Sequence, residues 1–106
     1  MRVFVSYTFR DPAITESVLR SIDAKLKEVA SVFIDALHNK WGGQLRVNFE
    51  LLRCSVLLHL ESTGYQSEWV QKEVQTARKK GKKILNTTVV ELLNMSKEQI
   101  TLLLNK

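Results

Sequence analysis

Trp69 and Glu73 stand four residues apart in a stretch that reads as the start of a helix, so one face carries a large aromatic ring and a carboxylate. A ring can stack on a flat ligand group, and a carboxylate can hold hydroxyls or stabilise developing positive charge. Ser67 is a good N-cap for this helix, because its hydroxyl can accept a bond from a free N–H of the first turn. Val70, Val74 and Ala77 form a separate apolar stripe that turns the helix toward a core. The helix follows the most apolar run of the chain, Cys54 to Leu60, after the short polar loop Glu61 to Gln66. In an open α/β sheet, ligands bind at such strand ends.

The rest of the chain must supply that sheet. Arg2 to Tyr7 reads as a first strand, with Val3, Val5 and Tyr7 alternating against Phe4 and Ser6. Asp11 and Pro12 have the types of an N-cap and a first helical residue. Ile14, Val18, Leu19, Ile22, Leu26 and Val29 then form a core-facing stripe. Val32 to Asp35 is a second strand, Ala36 to Gly43 a loop, and Leu45, Phe49 and Leu52 are spaced for burial in a following helix. After the Ser67 helix, Gly81 is available as a left-handed cap. Lys83 to Leu85 gives a fourth strand and Thr87 to Leu92 a candidate fifth. Ser96 and Gln99 have capping-box spacing before Ile100, Leu103 and Leu104. Strands alternating with helices predict a single α/β domain over residues 1–106. Its expected form is a flavodoxin-like three-layer α/β/α sandwich with a central parallel sheet of four or five strands.

Right-handed crossovers would bring the strand-to-helix loops to one rim. The candidates gathered there are Tyr7, Phe9, Arg10, Asp35, Trp41 and Trp69, with Glu73 one turn into its helix. His38 and Tyr65 share the rim, although His38 has no cysteine or carboxylate partner that suggests a triad. Rings and an arginine beside free helix N–H groups suit a dinucleotide. The Gly-x-Gly-x-x-Gly fingerprint of a redox site is missing, which argues against hydride transfer. His59 and Cys54 read as core residues, and no metal-ligand cluster presents itself.

Composition narrows the classes further. With 106 residues, 44% hydrophobic and 25% charged, the chain reads as one ordinary globular domain with a modest core. No run approaches the roughly 18 apolar residues of a membrane span, and no signal peptide is visible. The single Cys54 suits a reducing compartment, so a cytoplasmic location is expected. The net charge of +5 favours anionic partners. The basic block Arg78 to Lys83 reads as a solvated helix end, because it lacks the interleaved aromatics of a nucleic-acid site.

Four blocks carry a family resemblance. Val3-Phe4-Val5-Ser6-Tyr7, Val32-Phe33-Ile34-Asp35, Cys54 to Leu60 and Ser67 to Ala77 resemble, in order, the first three strands and the glutamate-bearing helix of Toll/interleukin-1 receptor (TIR) domains. The resemblance covers roughly Met1 to Leu85 and is closest to small bacterial members. Ala36 to Gly43 lacks the proline-bearing loop of receptor and adaptor members.

The resemblance implies that Glu73, in Trp-x-x-x-Glu, is the catalytic glutamate of an enzyme that cleaves NAD+ between nicotinamide and ribose. NAD+ would be substrate, with no further cofactor. The resemblance further implies hydrolysis or cyclisation of the ADP-ribose portion, a role in antiviral defence signalling, and assembly with other copies. From spacing alone, Glu73 reads more readily as an exposed helix residue beside Arg78. Two alternatives stay open: a non-catalytic TIR-like interaction module, and a nucleoside 2-deoxyribosyltransferase-like enzyme with a glutamate nucleophile.

Overall fold

Four short apolar runs pair in parallel in a computed structural model that describes residues 1–106. They are β1 (Arg2–Ser6), β2 (Ser31–Phe33), β3 (Val56–Leu60) and β4 (Lys83–Thr87), in the sheet order β2-β1-β3-β4. With helices packed on both sides of this sheet, the architecture is the expected flavodoxin-like α/β sandwich. No helix is long and apolar enough to cross a membrane.

The pleat sorts residues between two cores. Val3, Val5, Val32 and Leu58 face a cluster of 14 buried residues, completed by α1 (Glu16–Lys27), α5 (Val89–Leu93) and α6 (Lys97–Leu104). Phe4, Phe33 and Leu57 face a cluster of 7, completed by α3 (Gly43–Arg53) and α4 (Glu68–Lys79). On this second face the register aligns Phe33, Phe4, Leu57 and Ile84 in one apolar row. Two residues nearer the rim the next row is Ser6, His59 and Asn86. That row is polar, and His59 Nδ1 lies 3.1 Å from Asn86 Oδ1. His59 is therefore a half-buried, partnered residue rather than a core one.

Helix ends explain most local differences from expectation. Asp11 does not cap α1: its Oδ1 accepts from the Ala13 N–H and its carbonyl from the Ile14 N–H, which closes a turn. Thr15 is the cap instead, accepting from Val18 N–H, and Ile14 is buried ahead of the helix. The loop expected after β2 contains one helical turn, α2 (Asp35–His38), so Asp35 starts a helix rather than ending a strand. The candidate fifth strand is α5. Thr88 caps it by accepting from Glu91 N–H, and the β-branched pair Val89-Val90 lies in its first turn. The sheet thus has four strands. Ser67, Gly81 (φ 72°) and the Ser96–Gln99 capping box take the expected roles.

The largest difference concerns α3. Its sequence is apolar on two opposite sides, and the structure buries Val47 and Leu51 rather than Leu45, Phe49 and Leu52. Glu50, fully buried on the inward side, decides between them. It receives Arg2, Arg46 and Arg53 in ion pairs, and three guanidinium groups satisfy one carboxylate. A buried acid with such partners costs heavily if left alone, so the helix rotates to keep them together.

Candidate functional site

Parallel strands end at one rim, and there, on the thinner face, a cavity of about 400 Å³ opens between the end of β1 and the helices α2, α3 and α4. Tyr7, Phe9 and Arg10 line it from the end of β1, and Asp35 from the start of α2. Gln44 and Val47 belong to α3, and Ser67, Trp69 and Glu73 to the α4 side. Six of the residues singled out in the sequence therefore share one space with Glu73 among them: Tyr7, Phe9, Arg10, Asp35, Trp69 and Glu73. Trp41 does not line it; it is 97% exposed, outside the cleft and ahead of α3.

Glu73 is held rather than free. Ser67 caps α4 through Val70 N–H, which fixes the helix start. Glu73 then projects toward the end of β1, where the buried Ser6 hydroxyl donates to Oε1 at 2.8 Å. Burial raises the carboxyl from its ordinary 4.5 to about 7. The Ser6 bond opposes that rise and the nearby Asp35 charge adds to it. A partly buried carboxylate at a cleft, poised near neutrality, is characteristic of catalytic groups.

Its neighbours have separate jobs. Tyr7 OH accepts from Ala36 N–H at 3.0 Å. Burial, with Asp35 and Glu73 near, pushes this phenol up to about 12, although the Ala36 bond opposes the shift. The phenol stays protonated at any working pH, so its hydrogen remains available to a ligand. Its ring meets Phe9 edge-on at 5.1 Å. Asp35 accepts from Asn39 Nδ2 at 2.7 Å. Arg10 donates to the Gln66 carbonyl at 3.0 Å, joining the loops after β1 and β3, and has further donors to spare. Trp69 is 61% exposed and forms an outer wall, with Lys72 Nζ 5.3 Å from its ring centre.

A second cavity of about 360 Å³ adjoins the first, with Thr8 and Ser67 lining both. His59, Ser62 and Tyr65 line its far part, and its one carboxylate, Glu61, lies on the exposed loop. The half-buried acid with the raised carboxyl, Glu73, is in the first cavity, which makes that cavity the candidate site. No group of three or more His, Cys, Asp or Glu side chains is placed to hold a metal ion.

Two polar residues of the site escaped the sequence reading. Ser6 was visible only as a hydroxyl in an otherwise apolar strand, on the pleat shared with Phe4. Gln44 has no signature in the sequence, because Leu45, Phe49 and Leu52 read as the buried side of α3. His38, expected to lack a carboxylate, has Asp23 at 3.5 Å from Nε2. Its Nδ1 accepts from Ile34 N–H, so it serves the packing of α2. Comparison with protein families finds no family model that matches the chain, and comparison with curated proteins finds no match.

Proposed function

We propose that the chain is a TIR-like enzyme that cleaves NAD+ at the nicotinamide–ribose bond. The observation that carries the reading is Glu73: a carboxylate half-buried in a ring-lined cleft, held by Ser6 and beside a second acid, Asp35. Two acids facing one cavity favour a cationic group there, and the nicotinamide ring of NAD+ is one. As the glycosidic bond breaks, its electrons pass to that ring, which leaves neutral. Positive charge then develops on the ribose, as in glycoside cleavage. Ionised Glu73 stabilises that charge, and no acid is needed to expel the ring. Water captures the ribose carbon in hydrolysis; a nitrogen of the adenine captures it in cyclisation. Tyr7 and Phe9 supply flat surface, and Arg10 faces a phosphate. In this reading the chain works in the cytoplasm in defence signalling, in an assembly with other copies.

A second reading, a TIR-like module without activity, has one observation in its favour: Trp41 and Leu45 are exposed. The inward aim of Glu73 counts against it. A deoxyribosyltransferase-like enzyme would use the same glutamate as a nucleophile, and a trapped deoxyribosyl group on the protein would identify it. The deciding experiment is NAD+ consumption by concentrated protein, wild type beside Glu73→Gln, with products resolved by mass. Wild-type turnover lowered by about 10²–10³ in the variant is expected. Equal silence of two folded proteins favours the module, and equal turnover removes Glu73 from the mechanism.

A further inference from the structure

The outward side of α3 carries Leu45, Phe49 and Leu52, 82%, 54% and 54% exposed. Their spacing places them along one line on the helix, opposite the buried Val47 and Leu51. An apolar line at this spacing is the pattern by which one helix packs along another. One of its edges is charged and the other is neutral. Arg46 and Arg53 flank one side, with half-exposed guanidinium groups, and Gln44 bonded to Asn48 flanks the other.

The charge there is unbalanced. Glu50 is the one acid on α3, it is fully buried, and it is already shared by three arginines including Arg2. The cluster therefore keeps a surplus of two positive charges beside the apolar line. The arginines are also held in place: Arg53 lies over the Phe49 ring at 5.4 Å, and Arg46 over the buried Phe33 ring at 5.4 Å. Fixed, planar guanidinium groups suit carboxylates at a set spacing. A second copy presenting the same face in a two-fold contact would bring Arg46 and Arg53 against their own kind.

We propose that the outer face of α3 is a docking surface for an acidic amphipathic helix of a partner protein. Leucine-like side chains of that helix lie along Leu45, Phe49 and Leu52, and its carboxylates meet Arg46 and Arg53. This surface is separate from Glu73, so it stands whether or not the chain cleaves NAD+.

The test uses the full chain and three synthetic helical peptides of about 18 residues. One has leucines on one face flanked by glutamates; one replaces the glutamates by lysines; one scrambles the first. The acidic peptide should bind at least about tenfold more tightly than the other two by calorimetry, more weakly as salt rises. Leu45→Ser with Phe49→Ser should abolish that binding with an unchanged far-ultraviolet spectrum. Arg53→Gln should weaken it and flatten its salt dependence, while Leu102→Ser on α6 should leave it unchanged. Equal binding of all three peptides would overturn the proposal. So would a dimer, seen by light scattering, that the Leu45/Phe49 variant dissolves, with no preference for the acidic peptide. Co-sedimentation with anionic vesicles, lost in that variant and again without peptide preference, would assign the face to lipid.

Discussion

The two faces of the sheet are built to different depths. Between the sheet and α1, α5 and α6 a cluster of 14 buried apolar residues forms, and the strands contribute Val and Leu right up to Leu60 near the rim. Beneath α3 and α4 lie 7, and the apolar row through Phe4 gives way to Ser6, His59 and Asn86. The buried carboxyl of the thick face, Asp23 on α1, is paired with Lys27 and His38. On the thin face Glu73 of α4 accepts from Ser6 of the polar row, and α3 leaves a second apolar side uncovered. The larger apolar core lies on one side of the sheet and the candidate site on the other, the pattern expected where polar groups are kept at a cost to the fold.

That contrast can be measured. Leu58→Ala, in the thick core, should cost about 3–4 kcal/mol in denaturant unfolding, and Leu51→Ala, in the thin one, about 2. Equal losses would mean that both sides pack alike. Glu73→Gln should act in the opposite direction. Its carboxyl is raised from 4.5 to about 7, so the native state holds the proton more tightly than the unfolded chain. The resulting stability is complete below about pH 4.5 and lost as pH rises through about 7. The variant should therefore be roughly 1–3 kcal/mol more stable than wild type above pH 7.5 and gain nothing near pH 4. A constant difference across that range would remove the linkage.

A finer test concerns Ser6. If ionised Glu73 is the working form, NAD+ cleavage rises with pH through about 7. Ser6→Ala deletes the bond that favours ionisation, so the acid limb of the kcat/KM profile should move to higher pH. A lower rate with an unmoved limb would reduce Ser6 to a packing residue. The smallest expected effect is at the uncovered side of α3. Leu45→Ser should change unfolding free energy by no more than about 0.5 kcal/mol. A larger loss would mean that Leu45 is already packed in the folded chain.

The fold was legible because its signals were local and redundant. The strands announced themselves as apolar runs, and Ser67, Gly81 and the Ser96–Gln99 pair marked helix ends by their own hydrogen bonds. The gathering of Tyr7, Phe9, Arg10, Asp35, Trp69 and Glu73 followed from one topological rule, that parallel strands end on one rim. The two differences that matter most for the candidate site depend on partners far along the chain, while the others turn on which residue caps a helix. The rotation of α3 is set by Glu50 and its reach to Arg2, which no local period encodes. The partnership of Ser6 with Glu73 joins residues 67 positions apart. Val89 and Val90 favoured a strand by type, yet the Thr88 cap turns that stretch into a helix.

The strand order carries a kinetic consequence. β1 lies between β2 and β3, and every pairing in the sheet is reached only across an intervening helix. No hairpin exists to nucleate the sheet cheaply, so each strand added outward from β1 must first close a long loop. Refolding is therefore governed by the encounter of distant strands rather than by the speed at which helices form. Substitutions in β1 should slow folding, whereas those in α6, an outlying helix, should mainly hasten unfolding.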